Sequence, residues 1–384
     1  MSKTIFFFFL GLSLLSCNEK TSVKGPLTHE DKEAREDSLE LVEAYRQQES
    51  ISPEVVAFAE TKPISADNMD DAADDPAVWY NEKNPSASLI YGSNKKGGLA
   101  VYNLEGAETD YYPIGNVNNV DIIKAGILDD TTVEVYLGCS NRSTQGINIF
   151  RVDSLGKLTD LIPGSFQVDS SKIDDIYGFC FGQSIDGKKS YAIINGKNGH
   201  MQQFEMMLSD KDLQLKLVRE IKFDDQTEGM VVDRQTQSLY VGEENTGIWQ
   251  LSLNPDSDSK TLLEQSTDSN PNISYDIEGL TIYRNTDVAL LIASSQGNFS
   301  YAAFDLANDH EYIGSFKIID GNVCDGVQET DGIEAIAADF GTGLEKGIFV
   351  AQDGFNYDGD SLMSQNFKMV NMQEILLQLE NASN

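Results

Sequence analysis

The residues best placed to do chemistry are acids and amides at the heads of strand-like runs. They occur in Asp75-Pro76-Ala77-Val78-Trp79, Asn118-Asn119-Val120-Asp121, Asp175-Ile176-Tyr177, Glu228-Gly229-Met230, Asp276-Ile277-Glu278 and Asp331-Gly332-Ile333-Glu334. The first follows Asp71-Ala72-Ala73-Asp74, so carboxylates crowd together as the chain enters an apolar strand. Crowded carboxylates that lose water need a cation or a strong donor set. A solvated Asp-Pro turn explains one such cluster equally well. It does not explain recurrence through the chain. An oxygen-rich donor set suits Ca²⁺, which takes roughly six to eight oxygens in flexible geometry. Three histidines are too few for a His-based zinc or iron site.

The elements that must position these acids are hairpins. An apolar strand, a polar tip and a second strand recur at 89–102, 133–150, 191–204, 239–249, 289–301 and 347–353. Their spacing of roughly 45 to 58 residues is the length of a propeller blade. Each acid-headed run lies upstream of one hairpin, and in an antiparallel meander the start of one strand lies beside the end of the next. Acids and tips therefore share a rim. With the acid-headed strand innermost, an all-β, six-bladed β-propeller places Asp75, Glu228, Asp276, Glu278 and Asp331 around a central opening. Lys95, Lys96, Arg142 and Lys197, from the hairpin tips, stand among them.

The rest of the chain frames this domain. Residues 1–16 read as a signal peptide ending in Leu14-Leu15-Ser16-Cys17, a lipobox-like sequence that predicts lipidation at Cys17 and export to a bacterial membrane, facing the periplasm or the cell surface. Residues 17–52 read as a charged linker, helical over about Thr28–Gln48, and residues 53–384 as the propeller domain. Cys139, Cys180 and Cys324 read as buried hydrophobes, not a disulfide framework. A net charge of −34 excludes nucleic acid as a partner, because phosphate backbones need Lys and Arg. Walker loops, G-x-S-x-G elbows and H-E-x-x-H patterns are absent. Cys139 is followed six residues later by Gln145, where a thiol phosphatase needs Arg.

Taken together, Asp71-Ala-Ala-Asp-Asp-Pro-Ala-Val-Trp79, Asn94-Lys-Lys-Gly-Gly-Leu-Ala-Val-Tyr102, Ser140-Asn-Arg-Ser143, Gln226-Thr-Glu-Gly-Met230, Asp276-Ile-Glu-Gly-Leu-Thr-Ile-Tyr283, Thr330-Asp-Gly-Ile333 and Gln365-Asn-Phe-Lys-Met-Val370 resemble the β-propeller phytases, the calcium-dependent alkaline phytases of bacteria. The resemblance spans about Val55 to Val370. It implies a six-bladed phosphomonoester hydrolase, acting as a monomer, that removes phosphate stepwise from phytate or calcium-phytate through metal-activated water. It implies several Ca²⁺ ions held by Glu60, Asp75, Asn118, Glu228, Glu244, Asp276, Glu278, Gln296 and Asp331. It also implies phosphate contacts from Lys95, Lys96, Arg142, Tyr177 and Lys197, with Lys95, Arg142, Tyr177, Lys197 and Glu228 taking part in catalysis. This chain departs from the family pattern at Gly196-Lys197-Asn198-Gly199-His200, which lacks acids after the lysine, and at Asp233-Arg234-Gln235. Two rivals remain open: a propeller lactonase or esterase with one central ion, and a non-catalytic surface binding module.

Overall fold

The computed structural model describes residues 29–67, 70–126, 133–209 and 212–383. The signal peptide and Cys17 lie outside these residues. The chain divides into residues 1–41 and 42–384. Of the first part, residues 29–41 form the leading portion of the helix His29–Gln48. Among the described residues no helix is long and apolar enough to cross a membrane.

Residues 42–384 form the expected six-bladed ring. The inner strands are Ala73–Trp79, Val117–Ala125, Ile176–Gln183, Thr227–Asp233, Ile277–Arg284 and Ile333–Ile336, here assigned to blades I to VI. Each lies against the next, and the sixth lies against the first. The inner strands are buried on both faces, as in Ala73–Trp79 and Ile176–Gln183, because each blade packs against a neighbour on either side. In blade I, Tyr91 and Val101 face blade II, whereas Ile90, Ala100 and Tyr102 face blade VI. Six hydrophobic clusters result, one in each seam. Cys139, Cys180 and Cys324 are buried free thiols, as expected.

The N-terminal segment closes the ring. Glu54–Val56 runs parallel to the outer strand Glu311–Ile319 of blade V. Ala59–Glu60 then pairs antiparallel with Asn366–Asn371 and becomes the outer strand of blade VI. The end of the first helix is more than a tether. Ala44 is buried, Tyr45 packs edge-on against Phe299, and Gln48 Nε2 donates to the carbonyls of Phe299 and Val327. A C-terminal helix, Met372–Ser383, lays Met372, Ile375 and Leu379 onto the blade V–VI cluster. Its apolar residues recur at helical spacing, a signal present in the sequence beyond the family motifs.

Candidate active site

A β-bulge opens each of the first five inner strands. In blade I, Ala73 faces Asn94 and Pro76 faces Gly92, so three steps on one strand oppose two on the other. The same slip occurs at Val117/Val120, Ile176/Phe179, Thr227/Met230 and Ile277/Leu280. A bulge interrupts simple alternation and re-aims a side chain. The bulged pairs are Asp74-Asp75, Asn118-Asn119, Tyr177-Gly178, Glu228-Gly229 and Glu278-Gly279, and Asp331-Gly332 takes the corresponding place before the sixth strand.

The glycines are required by close approach of neighbouring blades. A Cβ on Gly229 would lie 2.0 Å from the carbonyl oxygen of Glu278, and one on Gly332 would lie 2.6 Å from that of Asp74. Backbone bonds tie the belt together: Gly332 N–H donates to Asp74 O (3.1 Å) and Gly279 N–H to Asp331 O (3.3 Å). The first member of each pair is thereby held at one end of the channel.

There the carboxylates meet. Oxygens of Asp74, Glu228 and Asp331 lie within 4.8 Å of one another, as do oxygens of Glu228, Glu244 and Glu278. An open hollow of about 420 Å³ above them is also lined by Lys95, Tyr177, Asp276 and Gln296. Burial is the main force pushing the Glu228, Glu278 and Asp331 carboxyls well above the ordinary range, and their mutual repulsion adds to it. Glu244 is pushed up to about 7 by burial, against a hydrogen bond from Gln226 and with Asp276 adding to the rise.

Several oxygens here have no hydrogen-bond donor: Glu228 Oε2, Glu278 Oε2, Asn118 Oδ1 and both oxygens of Asp74. Lys95 Nζ does stand 3.3 Å from Asp74 Oδ2, near enough for ionic attraction but outside hydrogen-bond geometry. Buried oxygens without donors are costly, and a cation is the species that satisfies them. The set contains oxygen donors alone, which fits a hard divalent ion.

The cations form the other half of the site. Lys95, 7% exposed, places Nζ 2.7 Å from Asp71 and 3.2 Å from Asp331. Burial opposes its charge, but Asp74, Asp331 and Asp71 outweigh burial and hold its pKa well above the usual value. Arg142 grips Asp175 through Nε (3.1 Å) and Nη2 (2.7 Å), and its guanidinium lies 5.8 Å from the centre of the Tyr177 ring. Lys197 Nζ stands 4.5 Å from the same ring. Glu228's charge, followed by burial, raises the Tyr177 phenol, which stays protonated as a donor. Asn118 Nδ2 donates to Glu228 Oε1 at 2.7 Å.

Three expected residues sit elsewhere. Asp75 does not join the acidic group. It is the second member of its bulge, and its carboxylate accepts Val120 N–H (3.0 Å) in the lower channel near Asp121 and Glu334. Asp74 occupies the place expected for it. Glu60 lies at the ring closure, paired with Lys368, because the strand that carries it crosses to blade VI. Lys96 is exposed and does not line the hollow. Asp71, Asp74 and Gln226 were not among the expected residues. For Asp74 the signal was present, since acid, amide or Tyr followed by Gly, Asp or Asn repeats six times in register.

Comparison with known proteins gives the family. The profile of the family described as Phytase matches residues 36–384. A curated protein named 3-phytase from Bacillus subtilis (strain 168) is 38% identical over 327 residues, covering 84% of each chain. Among solved structures, a streptogramin B lyase aligns at a TM-score of 0.44 and 13% identity over 81% of this chain and 96% of that one. A functionally unknown protein from Desulfotomaculum acetoxidans DSM 771 aligns at 0.42 and 14% over 63% and 71%. These two weak likenesses carry no weight here. With its profile match running through every blade, this chain belongs to the phytase family.

Proposed function

We propose that the protein hydrolyses phosphate monoesters of myo-inositol hexakisphosphate, one at a time, with Ca²⁺ as its divalent ion. The observation that carries this reading is the set of donorless buried oxygens on Asp74, Glu228, Glu278 and Asn118, bordered by Lys95, Arg142 and Lys197. Asp74, Glu228, Glu244, Glu278 and Asp331 would hold the metal, with Asp276 and Gln296 at the edge of the same hollow. When bound, such an ion supplies positive charge and a more acidic water for attack on phosphorus.

The chain's own residues do the rest. A protein of net charge −34 repels a polyphosphate, so local cations must reverse the field at the mouth. Lys197 and Arg142, both against Tyr177, are placed to receive phosphate oxygens. Asp175 takes Nε and Nη2 of Arg142, which fixes the guanidinium plane and leaves Nη1 for substrate. Tyr177, kept protonated, donates toward the same oxygens. Glu228 holds a proton readily, and its bond from Asn118 fixes the direction of its carboxyl.

The test is phosphate release from inositol hexakisphosphate by the purified protein in Ca²⁺ and in chelator. Release in Ca²⁺ and its loss in chelator are expected; no release in Ca²⁺ sinks the reading. The sequence further supports export and lipid attachment at Cys17, and the family resemblance implies a monomer. Incorporation of labelled fatty acid that disappears in Cys17→Ala checks the anchor, and sedimentation at the mass of one chain checks the monomer.

A further inference from the structure

The end of the first helix, residues 42–48, meets two segments that carry lining residues of the hollow. One is the turn at the mouth end of blade V, which Gln296 opens and Phe299 closes. Gln296 lines the hollow, and its N–H donates to the carbonyl of Asp276 (2.9 Å), another lining residue. The other segment connects the outer strand of blade V to the inner strand of blade VI, passing through Val327 to Glu329 and Asp331. Phe299 (φ +50°) and Glu329 (φ +49°) both sit in the left-handed region, which a residue with a side chain keeps only where its surroundings hold it. The helix end supplies such a hold.

Gln48 Nε2 donates to the carbonyl oxygens of Phe299 (3.2 Å) and Val327 (3.3 Å), so a single amide ties the two segments together. Both residues are buried, where a carbonyl needs a donor. Tyr45 adds its ring edge to Phe299, with ring centres 5.3 Å apart. The bridge is itself fixed, because the carbonyl of Gln48 accepts Lys317 Nζ (2.9 Å) from the outer strand of blade V, and Lys317 also pairs with Glu54. The apolar seam between blades V and VI is filled by residues such as Tyr301, Phe316 and Phe349, and Tyr45 is not among them. The ring can therefore stand without the bridge.

We propose that Tyr45 and Gln48 are positioning residues for the mouth: they set the separation of Gln296 from Glu329 and Asp331, and through it the fit of a divalent ion. This deepens the reading given above and rests on it. Neither residue lines the hollow. Groups behind a metal site act by fixing where its ligands point, and their loss typically lowers metal affinity or activity by about ten- to a hundredfold.

The test uses Tyr45→Ala, Gln48→Leu, the double variant and Tyr45→Phe, which keeps the ring. Calorimetric titration of the metal-free proteins reads Ca²⁺ affinity, and initial rates on inositol hexakisphosphate at saturating Ca²⁺ read kcat and KM, all well below the melting temperature. In the double variant Ca²⁺ affinity falls by about tenfold and kcat falls with it, while Tyr45→Phe matches the unsubstituted protein. Unchanged Ca²⁺ affinity in a folded double variant overturns the proposal, whatever happens to its melting temperature, and makes the helix end a strut. If the double variant does not fold, the two single variants decide by the same criterion. Failure of both to fold overturns the proposal as well, because a positioning role leaves the ring standing. If the unsubstituted protein binds Ca²⁺ but releases no phosphate, the functional reading fails separately and the titration alone decides the positioning. Absence of Ca²⁺ binding by the unsubstituted protein overturns both.

Discussion

Lys95 and Lys368 both bury an ammonium among carboxylates, one at the mouth of the channel and the other where the ring closes. Lys368 is 0% exposed and pairs with Glu60, its register partner, and with Asp325; Asp353 stands at 3.3 Å and Asn356 Oδ1 at 3.2 Å. The acids of this nest also have neutral donors. Asn366 Nδ2 donates to Glu60, Tyr357 N–H to Asp325, and Gln328 N–H to Asp353 Oδ1. Lys95 has Asp71, Asp74 and Asp331 around it, but Glu228, Glu244 and Glu278 stand behind those, and Glu228 Oε2, Glu278 Oε2 and both oxygens of Asp74 have no donor. The closure nest gives each of its acids a neutral donor as well as the ammonium, and leaves Asp353 Oδ2 and Asn366 Oδ1 without a hydrogen bond. The mouth has more donorless carboxylate oxygens around its one buried ammonium, which suits it to a further cation.

The largest expected effect breaks the closure. Lys368→Met leaves Glu60, Asp325 and Asp353 without their cation and loosens the join between the first and last strands of blade VI. Removing one partner of a buried ionic network costs about 3–5 kcal/mol. Urea unfolding of the metal-free protein measures it, and a loss below about 1 kcal/mol would mean the nest is not a strut. At the mouth the same kind of change has the opposite sign. Glu228→Gln removes a carboxyl that burial and its neighbours already disfavour, so the metal-free protein melts higher while turnover falls by at least about a hundredfold. A lower melting temperature would put Glu228 with the struts.

Acidity sharpens the contrast. Burial pushes Glu244 to about 7, Asp353 to about 7 and Glu334 to about 8. The folded protein thus holds protons that the unfolded chain has released, so this contribution to stability is complete below the ordinary carboxyl range and is lost as pH rises through those values. Metal-free protein is expected to melt progressively lower between about pH 5 and pH 8. Ca²⁺ bound at the mouth would need Glu244 and its neighbours deprotonated, so the stabilisation it gives is expected to grow over that interval. Scanning calorimetry in chelator and in Ca²⁺ checks both slopes. A metal-free melting temperature that climbs with pH contradicts the assignment.

The blades were legible because a strand covered on both faces leaves a continuous apolar run, and six such runs with polar tips have few other arrangements. The choice between Asp74 and Asp75 was not. Alternation sends neighbouring residues to opposite sides of a strand, but it cannot say which side is the mouth, and the bulge at Ala73/Pro76 changes the count. Tyr177-Gly178, Glu228-Gly229 and Glu278-Gly279 held the answer, since their glycines mark the position that abuts the next blade. Glu60 lies away from the mouth for a different reason. Which blade a terminal strand completes depends on how the ring closes, a long-range fact that local pattern does not carry.

The finest prediction concerns Lys95 itself. Its ammonium touches Asp74 Oδ2 and Asp331 Oδ2, members of the acidic group that fits a divalent ion. Those oxygens would hold such an ion, and its charge would oppose the ammonium beside them, leaving Lys95 free to meet a substrate phosphate in the hollow. Metal and lysine therefore exclude each other from the carboxylates, while metal and phosphate favour each other. Lys95→Met removes the competitor, and its affinity for Ca²⁺ in the absence of substrate is expected to rise by about tenfold even as turnover falls. Calorimetric titration of the metal-free protein reads the first effect independently of activity. Weaker Ca²⁺ binding by this variant would show that the ammonium helps to build the metal site, and Lys95 would then belong beside Lys368 as a strut.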